Sequence, residues 1–414
     1  MPFSFAPLQN LRRDRLSNGL RVFLKPDPTW PLVSIQAWVR VGSVDEKPAE
    51  AGISHILEHM VFKGTAHHRA VEISHWVESL GGVLNAETTK EYTHYYIDVP
   101  SAGAPKAVHL LAELLNRASL DPADWERECP VILEEIKRRN DDPDAVLWDQ
   151  LNEALFENPA WRRSVIGTPS TVASVSSETL RGFYGKYYTA SQCLLVVTGA
   201  FPLQTMRRWI RQEFGRMPAG DPPRPRVFEL DSGARRHIRL QKPVRQSYAA
   251  FGFSTPPANH PDQEALDLVA AILGEGRGAR LVHQLQEEKK LVWSISATNM
   301  THDGPGIFAI FAECDPGKRA AFEAELKKLL RVLRRSPPTE WEITRAKNVI
   351  QTAWLQGLES THNQASTIGL YAIENHLDRL QQYLPKVLSL TRHSLEDVIE
   401  RYFSSPMGSA VIEA

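Results

Sequence analysis

The sequence predicts an α+β protein made of two copies of one domain. The chain has 414 residues, of which 42% are hydrophobic, and this length allows about two or three domains with substantial cores. The stretch Arg216–Arg226 is rich in Pro and Gly, has few apolar residues and divides the chain nearly in half. The same order of elements recurs on both sides of this stretch, which indicates the repeat of a whole domain.

Each half has an apolar strand, then a polar connection that contains proline, then an apolar helix. In the first half these segments are 33–41, 44–51 and 53–62; in the second half they are 246–253, 254–262 and 265–273. We therefore predict a first domain at 1–218, a Pro-rich linker at 219–226 and a second domain at 227–414.

Two histidines and one glutamate lie within a single turn of the first apolar helix. His55 and His59 are four positions apart, so on a helix their rings can reach one metal ion, and Glu58 projects from the turn between them. This H-x-x-E-H order is a signature of zinc metallopeptidases. The alternative is an amphipathic helix that carries the three residues by chance. The helix itself is predicted from an apolar stripe at helical spacing: Ile53, Ile56, Leu57, Met60 and Val61.

A zinc hydrolase site takes three protein ligands and keeps one position for water, so a third ligand must come from another segment. The segment 122–139 is predicted to be helical, and it carries Glu128 and Glu135 seven positions apart, on one face. We expect Glu135 to be the third ligand and Glu128 to orient or polarise the site. Glu134 lies one position off this face and is expected to be a solvated surface charge.

These residues resemble the inverzincin metallopeptidases of family M16, to which pitrilysin, insulysin and mitochondrial processing peptidase belong. In that family a segment like Glu128–Ile136 follows the HxxEH motif at a distance. The resemblance implies that His55, His59 and Glu135 bind one zinc ion per chain. It also implies that Glu58 is the general base and that Glu128 is a supporting acid in catalysis.

The resemblance extends along nearly the whole chain and implies the fold. It includes an opening hairpin at Leu16–Val22, where Asn18-Gly19 is a strong signal for a type I′ turn, and the segments 166–169 and 183–199. The fold implied is the LuxS/MPP-like metallohydrolase fold, in which each of two homologous domains has an antiparallel-rich β-sheet covered by α-helices. The first domain would carry the zinc, and the metal-free second domain would close over the substrate.

The resemblance also implies residues that bind substrate. The stretch Gly81–Tyr95 resembles the substrate-side edge strand of the family, in which Asn85 and Ala86 would hold an extended peptide by strand addition. A capping role for Asn85 at a loop or strand end is the alternative. In the second half, Arg280 and Trp293 resemble the Arg/Tyr substrate-binding pair. Trp293 departs from that pattern because it lacks the phenolic hydroxyl, and core packing is the alternative for it.

Composition excludes several other classes of protein. The formal net charge of −1 argues against a generic binder of nucleic acid or of anionic membranes. The sequence contains no secretory signal and no apolar run of membrane-spanning length, so we expect a cytoplasmic protein. Its 3 cysteines, Cys129, Cys193 and Cys314, are too few for a disulfide framework or a thiolate zinc site.

The sequence therefore predicts a zinc-dependent endopeptidase that cuts extended or unfolded peptides. The resemblance implies that a chain of this length pairs into a homodimer, or into a heterodimer with a related M16-like chain. The alternative is a non-catalytic or weakly active subunit of a heteromeric peptidase or assembly. The complete set of motif residues favours the enzyme.

Overall fold

The computed structural model describes residues 8–223, 226 and 236–414. Residues 224–225 of the predicted linker and 227–235 of the predicted second domain lie outside this range. The strands are β1 (Arg12–Arg15), β2 (Arg21–Pro26), β3 (Leu32–Val39), β4 (Val83–Thr88), β5 (Thr93–Pro100), β6 (Cys193–Gly199), β7 (His237–Gln241), β8 (Ser247–Thr255), β9 (Ser294–Met300), β10 (Gly306–Cys314) and β11 (Gly408–Glu413).

The α-helices alternate with groups of these strands. They are α1 (Ile53–Val61), α2 (Ala70–Ser79), α3 (Ala104–Arg117), α4 (Pro122–Asp141), α5 (Pro143–Leu155), α6 (Pro159–Arg162), α7 (Pro169–Ser174), α8 (Ser177–Tyr187), α9 (Leu203–Phe214), α10 (Gln263–Gly274), α11 (Arg319–Arg335), α12 (Glu340–Gly357), α13 (Thr361–Ile373), α14 (Arg379–Ser389) and α15 (Arg392–Phe403). None of the helices in the described ranges is both long and apolar enough to cross a membrane.

The chain divides into two compact units. Unit 1 comprises Met1–Lys137, Ser164–Pro225 and Gly357–Gln381, and unit 2 comprises Arg138–Arg163, Arg226–Gln356 and Gln382–Ala414. The sheet of unit 1 has the order β1-β2-β6-β3-β5-β4, and that of unit 2 has the order β7-β11-β8-β10-β9. Only β2 with β6 and β7 with β11 pair in parallel among these strands. The order β2-β6-β3-β5-β4 in unit 1 thus corresponds, strand for strand, to the order β7-β11-β8-β10-β9 in unit 2. The predicted α+β repeat is confirmed.

Each half of the chain contributes one helix to the other unit. Helix α5, from the first half, packs on β8 and β11 of unit 2, and α13, from the second half, packs on β3 and β6 of unit 1. The units therefore differ from the contiguous domains predicted at 1–218 and 227–414 by these exchanged segments. The exchange has a physical reason, because each sheet has a buried face that its own half leaves to the incoming helix.

The loop before α1 fixes where this helix begins. Gly52 has φ = 96°, and a Cβ at this position would lie 2.8 Å from the carbonyl oxygen of Ile166, so only glycine fits without strain. The buried Glu46 carboxylate accepts hydrogen bonds from the amides of Gly52 and Ser54, at 2.8 and 2.9 Å. An acidic side chain at a helix N-terminus stabilises the helix. The predicted apolar stripe of α1 is fully buried in the core of unit 1.

The opening hairpin forms, but its turn is not of type I′. Strands β1 and β2 pair antiparallel from Arg12↔Leu24 to Arg15↔Arg21. A type I′ turn needs positive φ at both central residues, and only Gly19 of the Asn18-Gly19 pair has it. The side-chain amide of Asn18, through Nδ2, instead donates to the carbonyls of Phe214 and Met217, at 2.9 and 3.1 Å. These bonds hold the longer loop between Arg15 and Arg21.

Candidate metal centre

Unit 1 brings three metal-donor side chains together from two helices. His55 and His59 come from α1 and Glu135 from α4, and one ligand atom of each lies within 4.8 Å of the others. Glu135 Oε1 is 3.6 Å from His55 Nε2, and Glu135 Oε2 is 3.3 Å from His59 Nε2. No fourth His, Cys, Asp or Glu joins this group among the described residues. The arrangement is an open three-donor centre.

The Glu135 carboxylate gives the centre a negative charge. Hydrogen bonds from His55 and then His59 hold the pKa of the Glu135 carboxyl far below its usual range. Burial lowers the pKa of His59, but hydrogen bonds to Glu135 and Glu128 outweigh burial, and the pKa is raised. Two imidazole nitrogens and one carboxylate are a donor set that zinc takes in hydrolases. The residues present therefore fit a zinc ion.

The Glu58 carboxylate is held by a residue that the sequence did not single out. Glu58 lies on α1 between the two histidines and is partly exposed. Thr88, the last residue of β4, donates a hydrogen bond from Oγ1 to Glu58 Oε2. Thirty positions separate the two residues, so only the packing of α1 beside β4 could reveal the contact.

Glu128 faces the ring nitrogen of His59 opposite the one that faces Glu135, and its supporting role stays a prediction. The Glu128 side chain is buried, and its Oε1 is 2.9 Å from His59 Nδ1. Its other oxygen, Oε2, forms an ion pair with Lys63 Nζ. Burial raises the pKa of Glu128, but the hydrogen bonds and charges of Lys63 and His59 lower it by more than burial raises it. The net shift of the pKa is downward. Lys63 was also missed, although its position four residues after His59 places it one helical turn away.

Asn85 and Ala86 lie on an edge strand. β4 pairs with β5 on one side, in the register Asn85↔Tyr96 and Ala86↔Tyr95, and borders no other strand of the sheet in the described chain. The Asn85 side chain accepts a hydrogen bond from the Ala86 amide at 2.9 Å. A free edge beside α1 is what strand addition needs, and the binding role of both residues stays a prediction.

Arg280 and Trp293 each bond to other residues of unit 2. Arg280 forms a two-point ion pair with Glu342, with Nη2 to Oε2 at 2.8 Å, and donates to the carbonyls of Ser336 and Pro337. Trp293 is 59% exposed, so it is not a core residue. Its Nε1 donates to Asp315 Oδ1 at 3.0 Å. No hydrogen bond or ring contact joins Arg280 to Trp293 within the described chain, and their role in substrate binding stays a prediction.

Known proteins resemble this chain over nearly all of its length. The family model described as "Insulinase (Peptidase family M16)" matches residues 21–169, and that described as "Peptidase M16 inactive domain" matches residues 174–350. An uncharacterised zinc protease of Mycobacterium leprae is 30% identical over 96% of this chain and 91% of its own length.

Solved structures share the fold. The crystal structure of a protease from Helicobacter pylori has a TM-score of 0.93 and 26% identity and covers 98% of this chain and 99% of that chain. A chain of complex III from Candida albicans, at 17% identity, shares the fold alone, with a TM-score of 0.82 over 97% of this chain and 95% of that chain. The architecture is thus that of the M16-like peptidases. The chain belongs to peptidase family M16, since the two M16 family models match residues 21–169 and 174–350 and the mycobacterial zinc protease is 30% identical over 96% of the chain.

Proposed function

We propose that the protein is a zinc-dependent endopeptidase that cuts extended or unfolded peptides and binds one zinc ion per chain. The observation that carries the proposal is the convergence of His55, His59 and Glu135 on one point, from two helices of which one also carries Glu58. A centre with three protein donors leaves a fourth position for water, as catalytic zinc sites do and structural zinc sites do not.

The proposal assigns a task to each side chain of the centre. His55, His59 and the Glu135 carboxylate would hold the ion. A bound zinc ion would lower the pKa of a water molecule to about 7 and polarise the peptide carbonyl. Glu58 accepts the proton of the attacking water and passes it to the leaving nitrogen. Thr88 occupies Glu58 Oε2, which leaves Oε1 for the proton.

Extended peptides are the substrate class that the edge strand favours. A peptide that adds to β4 is held by main-chain hydrogen bonds, with little regard for its side chains. Asn85 and Ala86 would be the contact points, beside Thr88 and therefore beside Glu58. Folded substrates present few free main-chain groups, so unfolded peptides suit this mode better. The second domain, 227–414, would carry no metal and would close over the substrate.

Removal and restoration of zinc tests the proposed function. The purified chain is assayed on an unfolded peptide before chelation, after removal of the chelator with its metal, and after addition of zinc. We expect cleavage to stop on chelation and to return with zinc. Cleavage that continues at full rate in metal-free protein would overturn the proposal.

A second candidate is a non-catalytic or weakly active subunit of a heteromeric assembly. Two observations favour it: Arg280 is engaged by Glu342, and Trp293 stands where the family pattern has tyrosine. Native mass and cleavage by the purified chain separate the candidates. A homodimer that cleaves peptides supports the enzyme, whereas an inactive chain that cleaves only after addition of a related M16-like chain supports a heterodimer.

A further inference from the structure

Lys63 stands directly behind the candidate metal centre, at the end of a chain of polar contacts that leads to a metal donor. Its Nζ forms an ion pair with Glu128 Oε2, and Glu128 Oε1 is 2.9 Å from His59 Nδ1. The other ring nitrogen of His59, Nε2, faces Glu135. The contacts therefore run from an ammonium through a carboxylate to the back of the imidazole that faces the centre.

Burial makes the lysine necessary to this arrangement. The side chain of Glu128 is only 8% exposed, and a buried carboxylate is costly unless it is paired with a charge and fully hydrogen-bonded. His59 offers one hydrogen bond from a ring that is neutral when it binds metal. Lys63, with its side chain 34% exposed, supplies the counter-charge while its own ammonium keeps access to water.

The backbone holds Lys63 in place. It lies two residues after the end of α1, and its amide donates to the carbonyl of Met60 at 3.1 Å, so the residue belongs to the closing turn of the helix that carries His59. Glu128 comes from α4, the helix that carries Glu135. The Lys63–Glu128 ion pair thus ties together the two helices that supply the donors.

We propose that Lys63 is a positioning residue for the metal centre, which acts through Glu128 to keep the proton of His59 on Nδ1 and to direct Nε2 at the ion. The inference rests on the proposed function, since it takes His59 as a zinc ligand. With the ammonium removed, Glu128 is left without a counter-charge and turns toward solvent, and the ring of His59 loses its anchor.

Zinc affinity is the readout, because it does not depend on peptidase activity. Affinity is measured by competition with a chromophoric chelator for the wild type, Lys63→Met and Lys63→Arg. Partners behind a metal ligand contribute about 10- to 100-fold in affinity. We expect Lys63→Met to lose that much and Lys63→Arg to recover most of it. Lys47→Met is the matched control, because Lys47 pairs with Glu50 at 3.0 Å and its side chain is 77% exposed.

The sign of the effect discriminates between positioning and simple charge repulsion. A positive charge near a cation repels it, so through-space electrostatics alone predicts that Lys63→Met binds zinc more tightly. Positioning predicts weaker binding. Zinc affinity in Lys63→Met that equals or exceeds that of the wild type would overturn the inference.

A double-mutant cycle tests whether Lys63 acts through Glu128. We expect Glu128→Gln combined with Lys63→Met to bind zinc no more weakly than Glu128→Gln alone, because the intermediate carboxylate is already gone. Additive losses would overturn the inference. The comparison of Glu128→Gln with the double variant can be made even where Lys63→Met alone fails to fold, because the double variant has no unpaired buried charge. A wild-type chain that binds no zinc would overturn the proposed function itself, whereas unchanged affinity in Lys63→Met overturns this inference alone.

Discussion

Units 1 and 2 share one five-strand order, but the helix that follows the central strand differs between them: it carries candidate metal donors in unit 1 and is almost wholly buried in unit 2. Helix α1 follows β3, and α10 follows β8, the strand at the same place in the second sheet. α1 places His55, Glu58 and His59 on one side of an apolar stripe. α10 is buried along almost its whole length. Among the described residues, a group of three metal-donor side chains forms in unit 1 alone, so the candidate site comes from a few side chains placed on one copy of the scaffold.

The polar residues of α10 show the other use of the same position. Asp267 accepts hydrogen bonds from Asn299 at 2.8 Å and from Tyr383 at 2.9 Å, and Glu264 pairs with Lys386. These partners engage the Asp267 and Glu264 carboxylates within unit 2. The polar groups of α10 thus form hydrogen bonds and an ion pair within unit 2, whereas in unit 1 three candidate metal donors face one another.

The largest expected effect separates two neighbouring glutamates of α4. Glu135→Gln removes one of three donors, and a neutral amide is a poor zinc ligand, so we expect loss of bound zinc and of peptide cleavage. Glu134→Gln is the matched control, because the Glu134 side chain is 59% exposed and pairs with Lys137 at 3.7 Å, away from the three donors. Zinc content and cleavage rate are measured for both variants. Equal zinc content in the two would remove Glu135 from the site.

A second prediction addresses unit 2. Burial raises the pKa of Glu342, but Arg280 and Thr339 lower it to about 2, as expected of a tight ion pair. Removing one partner of a buried pair costs about 3 kcal/mol, so we expect Arg280→Ala to lower the free energy of unfolding by this amount. Denaturant unfolding measures it. Arg277→Ala, whose side chain is 92% exposed, is the control.

The same variant decides the role that the sequence predicts for Arg280. A rise in KM for peptide at unchanged stability would assign Arg280 to substrate binding. Loss of stability at unchanged KM would assign it to the cohesion of unit 2.

A third, smaller effect concerns the start of α1. Gly52→Ala forces a side chain into the left-handed region, which costs about 1–3 kcal/mol, and its Cβ would approach the carbonyl of Ile166. We expect lower stability and weaker zinc binding, because the turn carrying His55 shifts. Gly182→Ala is the control: it lies in α8, has open space around it and should stabilise by about 0.5–1 kcal/mol. Equal stability of the two variants would contradict the strain at Gly52.

The smallest effect is a pH dependence under the exchanged helix α13. His362 Nδ1 is 2.8 Å from Asp98 Oδ2, and this hydrogen bond raises the pKa of His362 against the effect of burial. Because the folded-state pKa is raised, the stabilisation is fully present below the unfolded value of about 6.5 and is lost as pH rises through the folded value.

Asp98→Asn removes this contribution. The stability difference between wild type and Asp98→Asn should therefore be larger at about pH 5.5 than at about pH 9. Thermal unfolding across this range measures the difference. A difference that grows with pH would contradict the assignment.

Local patterns made most of the fold, and the proximity of the three candidate metal donors, predictable. The apolar spacing of α1 and α4 gave both helices to within two residues of their ends, and the seven-residue spacing of Glu128 and Glu135 placed both on the face toward α1. Helical periodicity converts sequence spacing directly into shared faces. The repeated order of strand, connection and helix likewise predicted two related sheets.

Contacts between distant segments were not predictable from these patterns. The Thr88 hydrogen bond to Glu58 depends on how α1 packs beside β4, and the Lys63 ion pair depends on where Glu128 of α4 lies relative to the end of α1. The exchange of α5 and α13 was not predicted either, because the apolar face of a helix does not determine which of two sheets the helix packs on. Arg280 was assigned by position in a pattern, and its Glu342 partner lies 62 residues away.

One paired measurement tests the central claim, that the centre in unit 1 is catalytic. Cleavage of an unfolded peptide and zinc content are determined in the same samples of wild type and Glu58→Gln. Removing a general base slows a reaction by about 100- to 10,000-fold. We predict this loss at unchanged zinc content, because Glu58 is not a donor. Cleavage by Glu58→Gln at the wild-type rate would contradict the claim.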